Sequence, residues 1–212
     1  QLQKVLKGMI MSKDLYILGA GGHSKVVIEI AEELGYKIIS ILDDNPSVEN
    51  IFQYKVVHSS DNSTISENVF LAVGNNINRK KIASRFLAPE LNLIHPSAVV
   101  SKRTTFGYGN AVMAGVVINS SVKIGNHCII NTSACIDHDC KLDDFVHISP
   151  NASLAGNVRV MEGAHVGIGA TVKQDITIGK WSVVGAGAVV INDVPNNAVV
   201  VGNPARLLIK KK

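Results

Sequence analysis

From Ile94 to Val190 an aliphatic or aromatic residue returns every six positions. The series opens Ile94, Val100, Phe106, Val112, Ile118, Ile124 and runs through seventeen positions without a break in phase. Four positions after most of these stands a small or modest residue, such as Ala98, Cys128, Ala134, Ala152, Ala164 or Ala188. A period of six is neither the 3.6 of an amphipathic helix nor the 2 of a half-buried strand. It describes a short strand followed by a corner. Three such units close a triangular coil of eighteen residues, and such coils stack into a parallel β-helix. The aliphatic residue is expected to point into the prism, with the small residue filling the tight corner beside it. Seventeen hexads make between five and six coils, and no insertion sends a long loop away from the prism.

The chain ahead of this repeat has another rhythm. "LYILGAGGHSKVVIEIAEELGY" reads as a short buried strand, a glycine turn and an amphipathic helix, with Val26, Val27, Ile30, Ala31 and Leu34 at helical spacing. "KIISILDDN" predicts a second strand ending at Asp43 and Asp44, and "VFLAVGNN" a third ending at Gly74, Asn75 and Asn76. "RKKIASRFLAPE" predicts another helix, stopped near Pro89. Alternating strands and helices imply a small Rossmann-like parallel α/β domain over residues 11–92, followed by an all-β domain over residues 93–212. A ligand of the first domain is expected beyond the carboxyl ends of its strands, where Gly19, Gly21, Gly22, His23, Asp43, Asp44, Gly74 and Asn75 gather.

Composition narrows the partners. The chain of 212 residues is 46% hydrophobic and 18% charged, which is a folded composition. A formal net charge of +4, with lysine and arginine scattered except at Lys210-Lys211-Lys212, gives no basic stripe for nucleic acid. No run approaches the roughly 20 apolar residues of a membrane span. No signal peptide is visible, and Met11 makes a natural start. Cys128, Cys135 and Cys140 form no metal-type pair and fit a reducing cytoplasm. Cys128 and Cys140 fall on the small inward slot. Cys135 does not, and it is the one candidate for an acyl-enzyme nucleophile.

The glycine turn, Gly19-Ala20-Gly21-Gly22-His23-Ser24, has Ser where a dinucleotide fingerprint needs its last glycine, and the domain is short for an NAD fold. A glycine turn opening a helix still seats a phosphate, because free N–H groups point at it. Asp43 and Asp44 could accept from ribose hydroxyls or base N–H groups.

The titratable chemistry of the repeat concentrates in "IDHDCKLDDFVHIS". On the six-residue clock His138 is third, Asp139 fourth and His147 sixth, so all three should point outward. A histidine can take the proton of an attacking amine near neutral pH, and a carboxylate beside it can fix its tautomer. His138 is the candidate base and Asp139 its orienting acid, with Asp137 as the alternative partner. His147 and His165 are eighteen apart and should stack one coil apart, but no third histidine stands where a catalytic zinc would need it.

The uninterrupted hexads resemble the hexapeptide-repeat acyltransferases, whose coils wind left-handed. With "ILGAGGHSKVV", "LDDN" and "AVGNN" ahead of them, the chain resembles the nucleotide-sugar N-acetyltransferases of the bacillosamine and perosamine type, grouped with the sialic-acid O-acetyltransferases. The resemblance runs from about Lys13 to Arg206. It implies a front domain that binds a nucleotide-linked amino sugar and a left-handed parallel β-helix that binds acetyl-CoA. It also implies a homotrimer with grooves between prisms, no metal, and acetyl transfer to a 4-amino group. In that family's pattern Asn131 and His147 would contact acetyl-CoA near its thioester, and Gly156 would offer a backbone N–H to the carbonyl. Ile168 would line the pantetheine groove. "VVVGNPARLL" would cap the last coil, with Arg206 near the CoA phosphates. O-acetylation of a sugar and non-catalytic nucleotide-sugar binding remain the alternatives.

Overall fold

A computed structural model describes residues 13–62, 68–85 and 91–208. The first part is a five-stranded sheet in the order β3-β4-β2-β1-β5, formed by β1 (Asp14–Leu18), β2 (Lys37–Asp43), β3 (Asn50–Ile51), β4 (Tyr54–His58) and β5 (Val69–Leu71). Strands β4, β2, β1 and β5 run parallel; β3 is an antiparallel edge. The β3–β4 hairpin was not anticipated: Tyr54, Val56 and Val57 favour a strand, but "YKVVH" shows neither strict alternation nor a continuous apolar run, and β3 has only two residues. Helix α1 (Gly22–Glu33) buries Val27, Ile28, Ile30 and Ala31 on the sheet. Helix α2 (Asn76–Ala83) starts three residues earlier than expected, capped by Asn75 Oδ1 accepting the Asn78 N–H at 3.0 Å. The expected stop at Pro89 and the terminal lysines lie outside the described residues.

The second part is a triangular prism of two-residue strands. The front wall holds eight strands, from Leu93–Ile94 through His147–Ile148 to an antiparallel closing pair, Val199–Val201 with Arg206–Leu207. The neutral wall holds six, including Cys135–Ile136, and the charged wall five, including Lys141–Leu142. As far as Val190 every pairing is one coil of eighteen residues apart and in register: Ile118 lies beside Ile136, and Ile136 beside Leu154. The first and fifth hexad positions are buried from Val112 onward. Removing two methyl-bearing stacks per hexad from water supplies the driving force, at about 1.5–3 kcal/mol per buried aliphatic side chain.

One detail of the hexad differs from expectation. The tight corner falls on the fourth position, not the fifth. Gly109, Gly115, Ser121, His127, Ser133, Asp139, Phe145 and their successors to Gly187 all have left-handed backbone, with φ between +53° and +69°. That conformation explains the Gly, Asn, Asp and Ser found there. His127, Phe145 and Trp181 are bulky exceptions on a single corner. Two of the rings have room because a glycine stands one coil before them: a Cβ on Gly109 would overlap His127, and one on Gly163 would overlap Trp181, while Phe145 stacks on His127 at 5.3 Å. A further exception is Asn110, fully buried in the fifth position. It stays satisfied by accepting the Cys128 N–H at 2.7 Å and donating to Asn92 at 2.9 Å.

Helix α2 docks on this bulky corner through Arg79, which is 1% exposed. Its Nε donates to the His127 carbonyl (2.9 Å), one terminal nitrogen to the Val73 and Gly74 carbonyls (2.9 and 3.1 Å), and the other to Asn76 Oδ1 and the Phe145 carbonyl (2.8 and 3.0 Å). Every N–H of the guanidinium is used. Burial lowers its pKa to about 10, which still leaves it charged at neutral pH. Asn76 adds a bond to the Gly163 carbonyl at 3.0 Å, and Lys80 pairs with Glu162 beneath the Trp181 ring, 5.2 Å from its centroid. Leu93, Ala111, Met113 and Ile129 of the prism share one apolar core with the sheet and α1.

Replacing Arg79 with Met should destabilise the protein by about 3 kcal/mol, since it orphans buried carbonyls in both parts. Hydrogen exchange should accelerate at α2 while prism amides keep their protection; uniform exchange across both parts would contradict the clasp.

Candidate active site

The corner at residues 137–139 separates the neutral wall from the charged wall. Asp137 Oδ1 accepts from Asn119 Nδ2 and from the His138 backbone N–H, both at 2.8 Å, so this carboxylate is tied to the corner itself. Those bonds hold the Asp137 pKa below its usual value. Asp139 instead reaches the imidazole: its Oδ2 lies 2.8 Å from His138 Nδ1. Aspartate is long enough here, and between the two candidate partners it is Asp139 that touches the ring. Both side chains are 59% exposed. The hydrogen bond from Asp139, and then the charge of Asp137, raise the His138 pKa. With the Nδ1–H donating a hydrogen bond to the Asp139 carboxylate, Nε2 carries the lone pair. It lies over Gly156, on the next coil.

His147 has a different setting. It points out of the prism as expected, but onto the front wall, which the first domain covers. It packs against the Gly74 backbone and stacks on His165 at 4.6 Å and 3°. Burial, then the charges of His165 and Arg79, lower its pKa to about 3. Its Nε2 is 3.2 Å from Asn131 Nδ2, and His165 Nε2 is 2.7 Å from Ser149 Oγ. His147 thus faces the first domain while staying within reach of Asn131. Nothing local in the hexad pattern says which wall a separate domain will cover. Among the described residues no three His, Cys, Asp or Glu side chains converge as a metal site.

Asn131 and Ile168 stand on the edge between the front and neutral walls, the opposite edge from His138. Ile168 is 53% exposed between Gly167 and Gly169. Arg206 is exposed on the closing strand pair and donates to the Ala205 carbonyl. Cys128 and Cys140 are core residues whose thiols burial pushes up to about 12 and about 11. Cys135 is on the neutral wall and half-buried.

In the first domain a cleft of about 470 Å³ opens beyond the strand ends. Gly19, Asp43 and Asp44 line one side. Asn78, Lys81, Ile82 and Arg85 line the other, along one face of α2 and its extension. The sequence reading missed this second side, although their i, i+3, i+4, i+7 spacing marks one helix face. Gly19 has φ +116° and passes so close to Ala72 that a Cβ would lie 2.8 Å from its carbonyl oxygen. Gly21 and Gly22 have open space around them, and α1 begins without a side-chain cap. The aspartates are more committed than expected. Asp43 accepts the Ala20 and Asn45 N–H groups at 2.7 and 2.8 Å, which fixes the turn. Asp44 is paired with Arg85 and Ser59, which hold its pKa down. Gly74 and Asn75 serve the Arg79 clasp and the α2 cap. His23, buried beside Gly74, is pushed down to about 4 by burial and then by Arg79.

Residues 14–86 match the family model "PglD N-terminal domain". Over most of its length the chain superposes on the crystal structure of a mutant perosamine N-acetyltransferase from Caulobacter crescentus, one histidine replaced by asparagine, in complex with CoA and GDP-perosamine. That match has 38% identity and a TM-score of 0.87 and covers 93% of this chain and 97% of that one. The chain belongs to the nucleotide-sugar N-acetyltransferases of the bacillosamine and perosamine type. The acetyltransferase domain of PglB from Neisseria gonorrhoeae FA1090, solved with acetyl coenzyme A, matches at 40% identity and a TM-score of 0.86, covering 93% and 100% of the two chains. The UDP-N-acetylbacillosamine N-acetyltransferase of Bacillus subtilis (strain 168) is 41% identical over 114 residues. That alignment takes in 48% of this chain and spans about half, 52%, of the Bacillus protein. In this acetyltransferase no described helix is long and apolar enough to cross a membrane.

His23, His127 and His147 all sit between the first domain and the prism, and burial holds them neutral, with pKa values of about 4, 4 and 3. In the unfolded chain they take up protons near pH 6.5, whereas the folded chain cannot. Each therefore contributes stability above pH 6.5 that is lost as pH falls toward its folded value, at on the order of 1 kcal/mol per pH unit. Denaturant titrations should show stability dropping between pH 6.5 and 4, and His127→Gln should flatten the slope.

Proposed function

We propose that this chain acetylates the 4-amino group of a nucleotide-linked amino-deoxy sugar with acetyl-CoA, by direct attack and with His138 as general base. The observation that carries this is the exposed His138–Asp139 pair at 2.8 Å. The neutral amine attacks the thioester carbonyl as its proton passes to Nε2. Asp139 supports the imidazolium that forms, and the tetrahedral intermediate collapses with loss of the CoA thiolate. The Gly156 N–H is a suitable donor to the oxyanion, a kind of contact worth about 3 kcal/mol of barrier. Burial holds the Cys128 and Cys140 thiols protonated in the core, so an acyl-enzyme route would fall to Cys135, and full activity in Cys135→Ser would rule it out.

The cleft of about 470 Å³ is the natural seat of the nucleotide. The open Gly21–Gly22 turn at the start of α1 suits its diphosphate, and the basic Lys81 lies across the cleft. Relatives solved with CoA and GDP-perosamine, or with acetyl coenzyme A, support this choice of substrates over a free sugar or a non-catalytic role. N-acetylation is favoured over O-acetylation on the same ground.

The division of the candidate residues supports the homotrimer that the resemblance implies. His138 and Ile168 lie on opposite edges of the neutral wall, so an acetyl-CoA touching both edges needs a neighbouring copy. The neutral wall itself presents Val99, Val117, Cys135, Ser153, Thr171 and Val189, with no charge, and Val99 is 65% exposed. The charged wall presents Lys123, Lys141 and Arg159 to water. Association that buries the uncharged wall costs the least desolvation.

His138→Ala should lower kcat by two to four decades in a thiol-release assay while CoA still binds. Undiminished turnover would sink the base assignment. Val99→Glu with Val117→Glu should dissociate the assembly in sedimentation experiments and abolish transfer; a fully active monomer would refute the shared groove.

A further inference from the structure

We infer that Gly156 is the seat of the His138 imidazole, a positioning residue whose missing side chain decides where the base lies. The inference rests on the proposal that His138 is the base. Other glycines of the prism have visible backbone reasons. Gly109, Gly163 and Gly169 occupy left-handed corners, with φ of +64° to +69°. Gly167 and Gly179 lie against the backbone of the next coil, where a Cβ would come within 2.6 and 2.5 Å of main-chain atoms. Gly156 has neither reason. Its φ is outside the left-handed region, and the three atoms nearest a Cβ built on it all belong to the His138 ring: Cε1 at 2.6 Å, Nε2 at 2.8 Å and Nδ1 at 3.2 Å. Real Cβ contacts do not come that close.

The ring is thus held from two sides. Asp139 fixes Nδ1, and the bare backbone of the next coil lets the ring lie down beside it. Gly156 is buried as a result, while the imidazole's outer side stays open. Among the described residues the Gly156 N–H donates to no other group. Any side chain at 156 would lift the ring off this surface and swing Nε2 away from the place where the amine proton must be collected. An offset of about 1 Å in such a group costs on the order of a hundredfold in rate.

The test is Gly156→Ala beside His138→Ala and the double variant. Gly156→Ala should lower kcat about a hundredfold while coenzyme A and the nucleotide, measured by calorimetry, bind within about threefold of the parent. In the free protein, NMR titration of His138 should move toward an ordinary histidine midpoint as the Asp139 bond loosens. Gly156→Ala should also lower the Tm in the His138 background but not in the His138→Ala background, where the space is empty. Full kcat in Gly156→Ala beside an inactive His138→Ala overturns the seat and leaves the base reading standing. Full activity in His138→Ala overturns both. A fall in kcat or a rise in KM for acetyl-CoA with the imidazole titration unmoved places the effect at the Gly156 N–H and the thioester carbonyl, not at the ring, and overturns the seat. Failure to fold in both backgrounds means the coil itself demands glycine, and overturns it equally.

Discussion

A buried guanidinium, seated beside an apolar core that both parts share, sets the geometry between the two parts of this protein. Arg79 is carried by the helix that lines one side of the first domain's cleft, and it spends its hydrogen bonds on carbonyls from both sides of the junction: Val73 and Gly74 from the first domain, His127 and Phe145 from the prism. Carbonyl dipoles, not a carboxylate, balance its charge, so the contact is directional in a way an ion pair need not be. The consequence reaches the chemistry. In the proposed reaction a substrate held in the first domain's cleft must meet a base on the prism, and catalysis tolerates little relative displacement of the two.

The prism was legible because its physics is local and periodic. An inward aliphatic residue every six positions, repeated without interruption, leaves few other ways to bury the same surface. Within that pattern the corner was misassigned, since side-chain size at the fifth position is easier to see than backbone handedness at the fourth. Ser121, Asn151, Asn157 and Asp175 carried that signal, at φ between +56° and +65°. His127, Phe145 and Trp181 obscured it: a stack of bulky left-handed residues is intelligible only once α2 is seen resting on it.

The site shows the same division between local and non-local information. His138 and Asp139 could be placed as outward neighbours from the hexad count alone, and their hydrogen bond is a contact between adjacent residues. His147 could not, because its environment is made by Gly74, more than seventy positions away, and by a domain with another fold. Asp43 and Asp44 illustrate a further limit. Two carboxylates at a strand end look free in a sequence, whereas Asp43 braces the glycine turn and Asp44 is bound to Arg85 and Ser59.

The unbroken phase of the coils also sets how such a chain can change length. Deleting or duplicating one residue in the prism would rotate every later side chain off its axis, turning the Ile136–Leu154 stack outward and delivering charges such as Lys141 to the interior. Gain or loss of a whole circuit would leave each wall intact and merely make the column taller or shorter. Length variation in a scaffold of this kind is quantised, and the distance between its two ends is inherited in steps of one rung.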